Sequence, residues 1–197
     1  MTAAGIRILH ASTELGEFDV YVNDNLCIKT LPFTAITQYI QLPAGDNWVE
    51  VFRTGDPSKA IHRRMISVRA NRCYTVCLQP KKIFVVEDSH LSQNRSSGPY
   101  LRFIHLLQSG PNMDLINLSG SCFFSNNGYM GVSPYRAVSP QTTNFSLRVS
   151  GTRKILFHSP IYRLEPSRVY TVYVLGVSPN AVPYVLIVPD RDSHILY

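Results

Sequence analysis

The chain has 197 residues, room for two sandwich domains of ~100 residues each, and 45% of them are hydrophobic but only 16% charged, below the ~25% of average soluble domains. Its formal charge of +6, from 19 Lys and Arg against 13 Asp and Glu, is scattered in doublets such as Arg63-Arg64, Lys81-Lys82 and Arg153-Lys154, which excludes the continuous basic stripe of a nucleic-acid binder. No run approaches the ~18–20 apolar residues of a membrane span, and Met1 to Gly5 form neither the basic nor the apolar region of a secretion leader, so neither a transmembrane segment nor a leader is expected.

In chain order, apolar and β-branched runs predict strands near 6–11, 18–23, 26–30, 36–42, 47–53, 60–69, 72–78 and 83–87, with counterparts in the second half. Turn residues separate them, as in Asn23-Asp24-Asn25, Pro43-Ala44-Gly45-Asp46 and Asn126-Asn127-Gly128. No segment keeps a helical period. Tyr74, Val76 and Leu78 alternate with Cys73, Thr75 and Cys77, the pattern of a half-buried strand in an antiparallel sheet with both thiols on the face away from the core. Cys73 and Cys77 are then ~13 Å apart at ~3.3 Å per residue, too far for a disulfide with each other.

Laid on itself, the chain repeats. Ile6-Arg7-Ile8-Leu9-His10 falls on Leu101-Arg102-Phe103-Ile104-His105, Asp19 on Asp114 and Cys27 on Cys122, each 95 places on. At 96 places, Tyr39 meets Tyr135, Trp48-Val49-Glu50-Val51 meets Asn144-Phe145-Ser146-Leu147, Gly55 meets Gly151, and Arg72-Cys73-Tyr74-Thr75-Val76 meets Arg168-Val169-Tyr170-Thr171-Val172. Asp88-Ser89-His90 is placed on Asp192-Ser193-His194, at 104. The expected organisation is all-β: two antiparallel β-sandwiches, immunoglobulin-like or transthyretin-like, over residues 1–88 and 99–197, joined by a polar linker at 89–98.

Arg7-Ile8-Leu9-His10-Ala11-Ser12, Phe18-Asp19-Val20-Tyr21-Val22-Asn23, Pro32-Phe33, Tyr39, Leu42-Pro43-Ala44-Gly45 and Tyr74-Thr75-Val76 together resemble the bacterial and archaeal domain of unknown function 4397. The second half departs further, with Leu106-Leu107 in place of Ala11-Ser12. The resemblance implies a sandwich fold, tandem copies and an envelope-associated setting, and it brings no established activity.

Candidate sites are few. His10 with Asp19, repeated as His105 with Asp114, could orient an imidazole for acid–base work. Recurrence in both halves favours a structural pair tying two strands. No His, Cys or carboxylate cluster has metal-ligand spacing, and neither a Gly-x-Ser-x-Gly elbow nor a phosphate loop is present, so no cofactor and no enzymatic activity are expected. The four cysteines, Cys27, Cys73, Cys77 and Cys122, are candidates for cross-linking between strands or chains, and the terminal Ile195, Leu196 and Tyr197 for docking. A basic balance, few charges, eleven Tyr and some Cys suit a non-enzymatic structural or adaptor protein of a bacterial cell or spore surface. Its partners would be other protein subunits, itself or envelope and spore proteins. A module binding a cell-wall or surface glycan is the alternative.

Overall fold

The computed structural model describes residues 3–88, 98–176 and 182–190, and these are all-β. They divide into two compact units, with the change-over between residues 90 and 91.

The first unit contains β1 (Ala3–His10), β2 (Phe18–Val22), β3 (Asn25–Leu31), β4 (Ile40–Pro43), β5 (Gly45–Arg53), β6 (Asp56–Val68), β7 (Cys73–Leu78) and β8 (Ile83–Glu87). They form two four-stranded sheets, β4-β1-β7-β8 and β3-β2-β5-β6. Period-2 alternation makes them a sandwich: Ile6, Ile8, Val76 and Leu78 from one sheet and Phe18, Val20, Val49 and Val51 from the other share one core.

All neighbours are antiparallel except β1 and β7, which run parallel from Gly5 beside Cys73 to His10 beside Leu78. The sandwich is antiparallel as expected, apart from this one central parallel pair. The pair also explains why β7 is buried along its whole length rather than on alternate residues: it is a central strand, flanked by β1 and β8 and covered on both faces.

The second unit contains β9 (Tyr100–Leu107), β10 (Met113–Ile116), β11 (Cys122–Asn127), β12 (Arg136–Ala137), β13 (Gln141–Thr143), β14 (Ser146–Val149), β15 (Ile155–His158), β16 (Tyr162–Leu164), β17 (Val169–Gly176) and β18 (Tyr184–Asp190). Its sheets β12-β9-β17-β18 and β11-β10-β14-β15 correspond to those of the first unit, down to the parallel β9–β17 pair. Leu101, Phe103, Leu115, Phe145, Leu147 and Val172 form its core.

The long β5–β6 hairpin of the first unit is cut here into β14–β15 and a separate β13–β16 pair. Pro160 stands at the break; it has no amide hydrogen to donate to a ladder. The Ser159 hydroxyl takes over, accepting the Phe145 amide at 2.8 Å, while the Ser159 amide donates to the Phe145 carbonyl at 2.7 Å.

Candidate functional site

β1 and β2 belong to different sheets, and this decides where His10 and Asp19 go. Phe18 faces inward and its ring stacks on the His10 imidazole, 4.2 Å between centroids and 16° between planes. Asp19, one residue on, therefore faces out of the sandwich. The expected His10–Asp19 pair does not form.

His10 instead donates from Nε2 to the Gly16 carbonyl at 2.6 Å, and its Nδ1 accepts the Ser12 amide at 3.2 Å. His105 uses the other nitrogen, donating from Nδ1 to the Asn127 carbonyl at 2.9 Å. Its Nε2 is buried without a hydrogen-bond partner, so the His105–Asp114 pair is absent as well. Burial lowers the pKa of both imidazoles, against the opposing pull of their backbone bonds, which holds them neutral in the fold.

Both aspartates have a different task, and it is the same one. Asp19 Oδ1 accepts the Thr30 amide at 2.8 Å and the Thr54 hydroxyl at 3.2 Å. Asp114 Oδ1 accepts the Asn126 amide at 3.0 Å and the Ser150 hydroxyl at 2.6 Å. Thr30 and Asn126 are both left-handed, each with φ 56°, and both lie on edge strands whose pairing to the next strand is irregular. Each carboxylate thus ties the bulged edge strand to the following hairpin turn, where Gly55 (φ 79°) and Gly151 (φ 75°) are also left-handed. Asp114 further receives Nε and Nη2 of Arg148 at 3.0 and 2.7 Å.

A second cluster, not anticipated from the sequence, occurs in both units. Arg7 Nε donates to Thr75 Oγ1 at 2.8 Å and lies 3.5 Å from Asp88 Oδ2, which also accepts Thr75 Oγ1 and Tyr39 OH, both at 2.7 Å. The Arg7 guanidinium lies 4.9 Å from the centre of the Tyr39 ring. In the second unit Arg102, Thr171, Tyr135 and Asp190 repeat this, with Tyr135 OH to Asp190 Oδ2 at 2.7 Å and the guanidinium 4.4 Å from the ring centre. The charged side chains are almost fully buried. Hydrogen bonding and charge pairing offset the desolvation that such groups suffer. Asp190, not Asp192, is therefore the structural counterpart of Asp88; Asp192 lies outside the described residues.

Cys27 and Cys122 are exposed on the edge strands β3 and β11, and none of the four cysteines is in a disulfide. Cys73 and Cys77 are buried, which removes them from the cross-linking candidates, because β7 is covered on the face they occupy as well as on its core face. The tail with Ile195, Leu196 and Tyr197, and residues 89–97 of the expected linker, lie outside the described residues.

The most exposed apolar chemistry of the first unit is on the outer face of β3-β2-β5-β6. The ladder aligns Leu26, Tyr21, Glu50 and Arg63 across four strands, with Trp48 opposite Met65 in an adjacent row. Leu26, Trp48 and Met65 are 48%, 41% and 50% exposed. Tyr21 and Phe52 meet edge to face at 5.1 Å. Arg63 lies 4.4 Å from the centre of the Trp48 ring and 3.2 Å from the Glu50 carboxylate. The second unit has Asn144, Ser146 and Arg148 where the first has Trp48, Glu50 and Phe52. Alternation within Trp48-Val49-Glu50-Val51-Phe52 was the signal for this face; the sequence does not say which of its two sides is buried.

Among the described residues no group of three or more His, Cys, Asp or Glu is placed to hold a metal, and no helix is long and apolar enough to cross a membrane.

A family model, Domain of unknown function (DUF4397), matches residues 4–116, which is the first unit, the junction and the opening strands of the second. The chain belongs to the DUF4397 family. No curated protein matches it. Among solved structures, the Bacillus anthracis TIE protein is similar at 12% identity and a TM-score of 0.29 over 88% of this chain, which spans 34% of that one. Within this DUF4397 protein, the Arg-Tyr-Thr-Asp clusters and the aspartate-anchored bulges tie strands of the scaffold together, and the outer face carrying Trp48 is an exposed apolar surface of the first unit.

Proposed function

We propose that the protein is a non-enzymatic structural or adaptor subunit of a bacterial cell or spore surface, associating with other subunits through the outer β3-β2-β5-β6 face and the neighbouring strand edge. The observation that carries this reading is the exposed set Leu26, Trp48 and Met65 on one face of a single sheet. Covering apolar surface stabilises an association by about 25 cal/mol per Å², and side chains already fixed on a sheet lose little freedom when covered. Glu50 and Arg63, paired within the patch, supply directional contacts.

Two further observations support it. The buried ionisable side chains Arg7, His10, Asp88, Arg102, His105 and Asp114 are engaged in scaffold bonds. β3 is an edge strand, and an open edge can accept a strand from another chain. The envelope setting comes from what the family resemblance implies together with the low-charge composition.

Sedimentation velocity of the full chain and of a Trp48→Ser, Met65→Ser variant tests the reading. The parent should associate as concentration rises and the variant should shift toward monomer at an unchanged Tm. Identical sedimentation of the two over the same range would refute it.

A further inference from the structure

The two units differ at two neighbouring surface positions: Pro189 stands at the register position of Glu87, and Glu165 takes the place of Arg69. In the first unit the Glu87 carboxylate, on the last residue of β8, accepts a hydrogen bond from Arg69 Nη2 and lies 3.7 Å from Arg72 Nη1. Glu87 stands opposite Tyr74 in the β7–β8 ladder, and Tyr74 OH accepts the Arg69 amide at 3.1 Å.

The second unit keeps the frame. The Arg168 carbonyl accepts the Tyr100 amide as the Arg72 carbonyl accepts that of Gly5, and Tyr170 OH accepts the Glu165 amide at 3.2 Å. Opposite Tyr170 in the β17–β18 ladder, however, stands Pro189. The carboxylate of the first unit has no counterpart at this register position, whereas the arginine beside it is kept.

A depression of about 430 Å³ opens there, lined by Arg163, Arg168, Tyr162, Ile161 and Pro189, within the ~300–1,000 Å³ of small-ligand sites. Glu165 also borders it, but it lies 3.7 Å from Arg168 Nε with both side chains more than half exposed, a solvent-screened contact that a better-placed anion can displace. Arg163 stands opposite Thr142 in the β13–β16 ladder, and its guanidinium makes no hydrogen bond or ion pair with another described residue. A planar guanidinium fork matches a carboxylate with two parallel bonds. Tyr162, set edge to face on Tyr170 at 5.7 Å, and Ile161, 75% exposed, offer an apolar wall beside the two cations.

We propose that this depression binds a carboxylate-bearing saccharide, such as a uronic acid unit of an acidic glycan. Its carboxylate takes the place that Glu87 fills in the first unit, on Arg168 and Arg163, and the C–H face of its ring lies against Tyr162 and Ile161. The site is independent of the assembly face of the first unit.

The test is titration of the full chain, followed by nuclear magnetic resonance, with digalacturonate, neutral galactobiose, inorganic phosphate and an amide-blocked glutamate. Digalacturonate should bind saturably, and each of the other three at least about tenfold more weakly. Arg168→Gln should weaken digalacturonate by about tenfold or more at unchanged Tm. Pro189→Glu, which restores the carboxylate of the first unit, should block the site. Absence of saturable binding, equal binding of galactobiose, of phosphate or of the blocked glutamate, or full binding by Pro189→Glu would each overturn the assignment.

Discussion

The Asp19 carboxylate accepts the amide of Thr30, a left-handed residue eleven positions on, at 2.8 Å. Asp114 does the same for Asn126 at 3.0 Å. A non-glycine residue at positive φ is strained, and an ionised acceptor aimed at its amide helps hold it there. Asp19→Asn and Asp114→Asn should each destabilise the chain, by about 1–3 kcal/mol, with the larger loss at Asp114, which also binds Arg148 and Ser150. Denaturant unfolding of each unit's transition measures this; an unchanged midpoint in both variants would contradict it.

The Asp114 site has a pH signature. Burial pushes its carboxyl up, but the bonds from Ser150, Asn126 and Arg148 outweigh this and hold it below the ordinary value. A depressed folded pKa gives stability that is present above the unfolded value of ~3.9 and is lost as pH falls through the lower folded value. The Tm difference between wild type and Asp114→Asn should therefore be constant near neutrality and shrink below about pH 4. A difference that persisted unchanged into strong acid would contradict the anchor.

His10 and His105 act in the same direction but in a higher pH window. Burial lowers both, so below the unfolded value of ~6.5 the unfolded chain takes up protons that the folded chain does not, and stability falls as pH drops from there. Thermal melts between about pH 7.5 and 5 should show this slope, and His10→Gln should flatten part of it. A wild-type slope of zero would overturn the account of neutral, buried imidazoles.

The buried Arg-Tyr-Thr-Asp cluster separates an unpaired charge from a missing one. Asp88→Asn should cost about 3–5 kcal/mol, because Arg7 keeps its charge without its carboxylate. Tyr39→Phe removes only one bond to that carboxylate and should cost about 1 kcal/mol. The Arg7→Met, Asp88→Leu double variant should be less destabilised than Asp88→Leu alone. A strictly additive double-mutant cycle would show that the pair is not coupled.

Thiol chemistry reads the sheet order directly. In the native protein Cys27 and Cys122 should react with an alkylating reagent and Cys73 and Cys77 should not, becoming reactive only on unfolding. Mass mapping checks this, and should find no Cys73–Cys77 disulfide, since alternate residues of β7 place both on one face ~13 Å apart. Native labelling of Cys77 would contradict the double-sided burial of β7.

All eight strands expected for the first unit form, because period-2 runs between turn residues depend on local chemistry that a sequence carries openly. What the sequence hides is which sheet a strand joins. His10 and Asp19 fall close together in the chain, which suggests a pair, but β1 and β2 belong to opposite sheets. Tyr74, Val76 and Leu78 read as the buried face of a half-exposed strand, since nothing in alternation reports a second covered face. Arg7, Tyr39 and Thr75 each recur in the second half at nearly one displacement, yet their convergence needs strands 32 to 68 residues apart to meet on Asp88. The Asp-Ser-His run matches Asp88 to Asp192 by letter, whereas the Tyr135 and Thr171 bonds select Asp190, two residues earlier.

The assembly reading turns on whether the chain associates at all. Light scattering coupled to size exclusion, on the purified full chain over a wide concentration range and with the same fractions viewed by electron microscopy, measures this most directly. The account predicts masses rising above the 22.2 kDa of one chain, with oligomers or filaments in the images that disperse when Trp48 and Met65 are replaced by serine. A mass of one chain at every concentration, with featureless images, would contradict it.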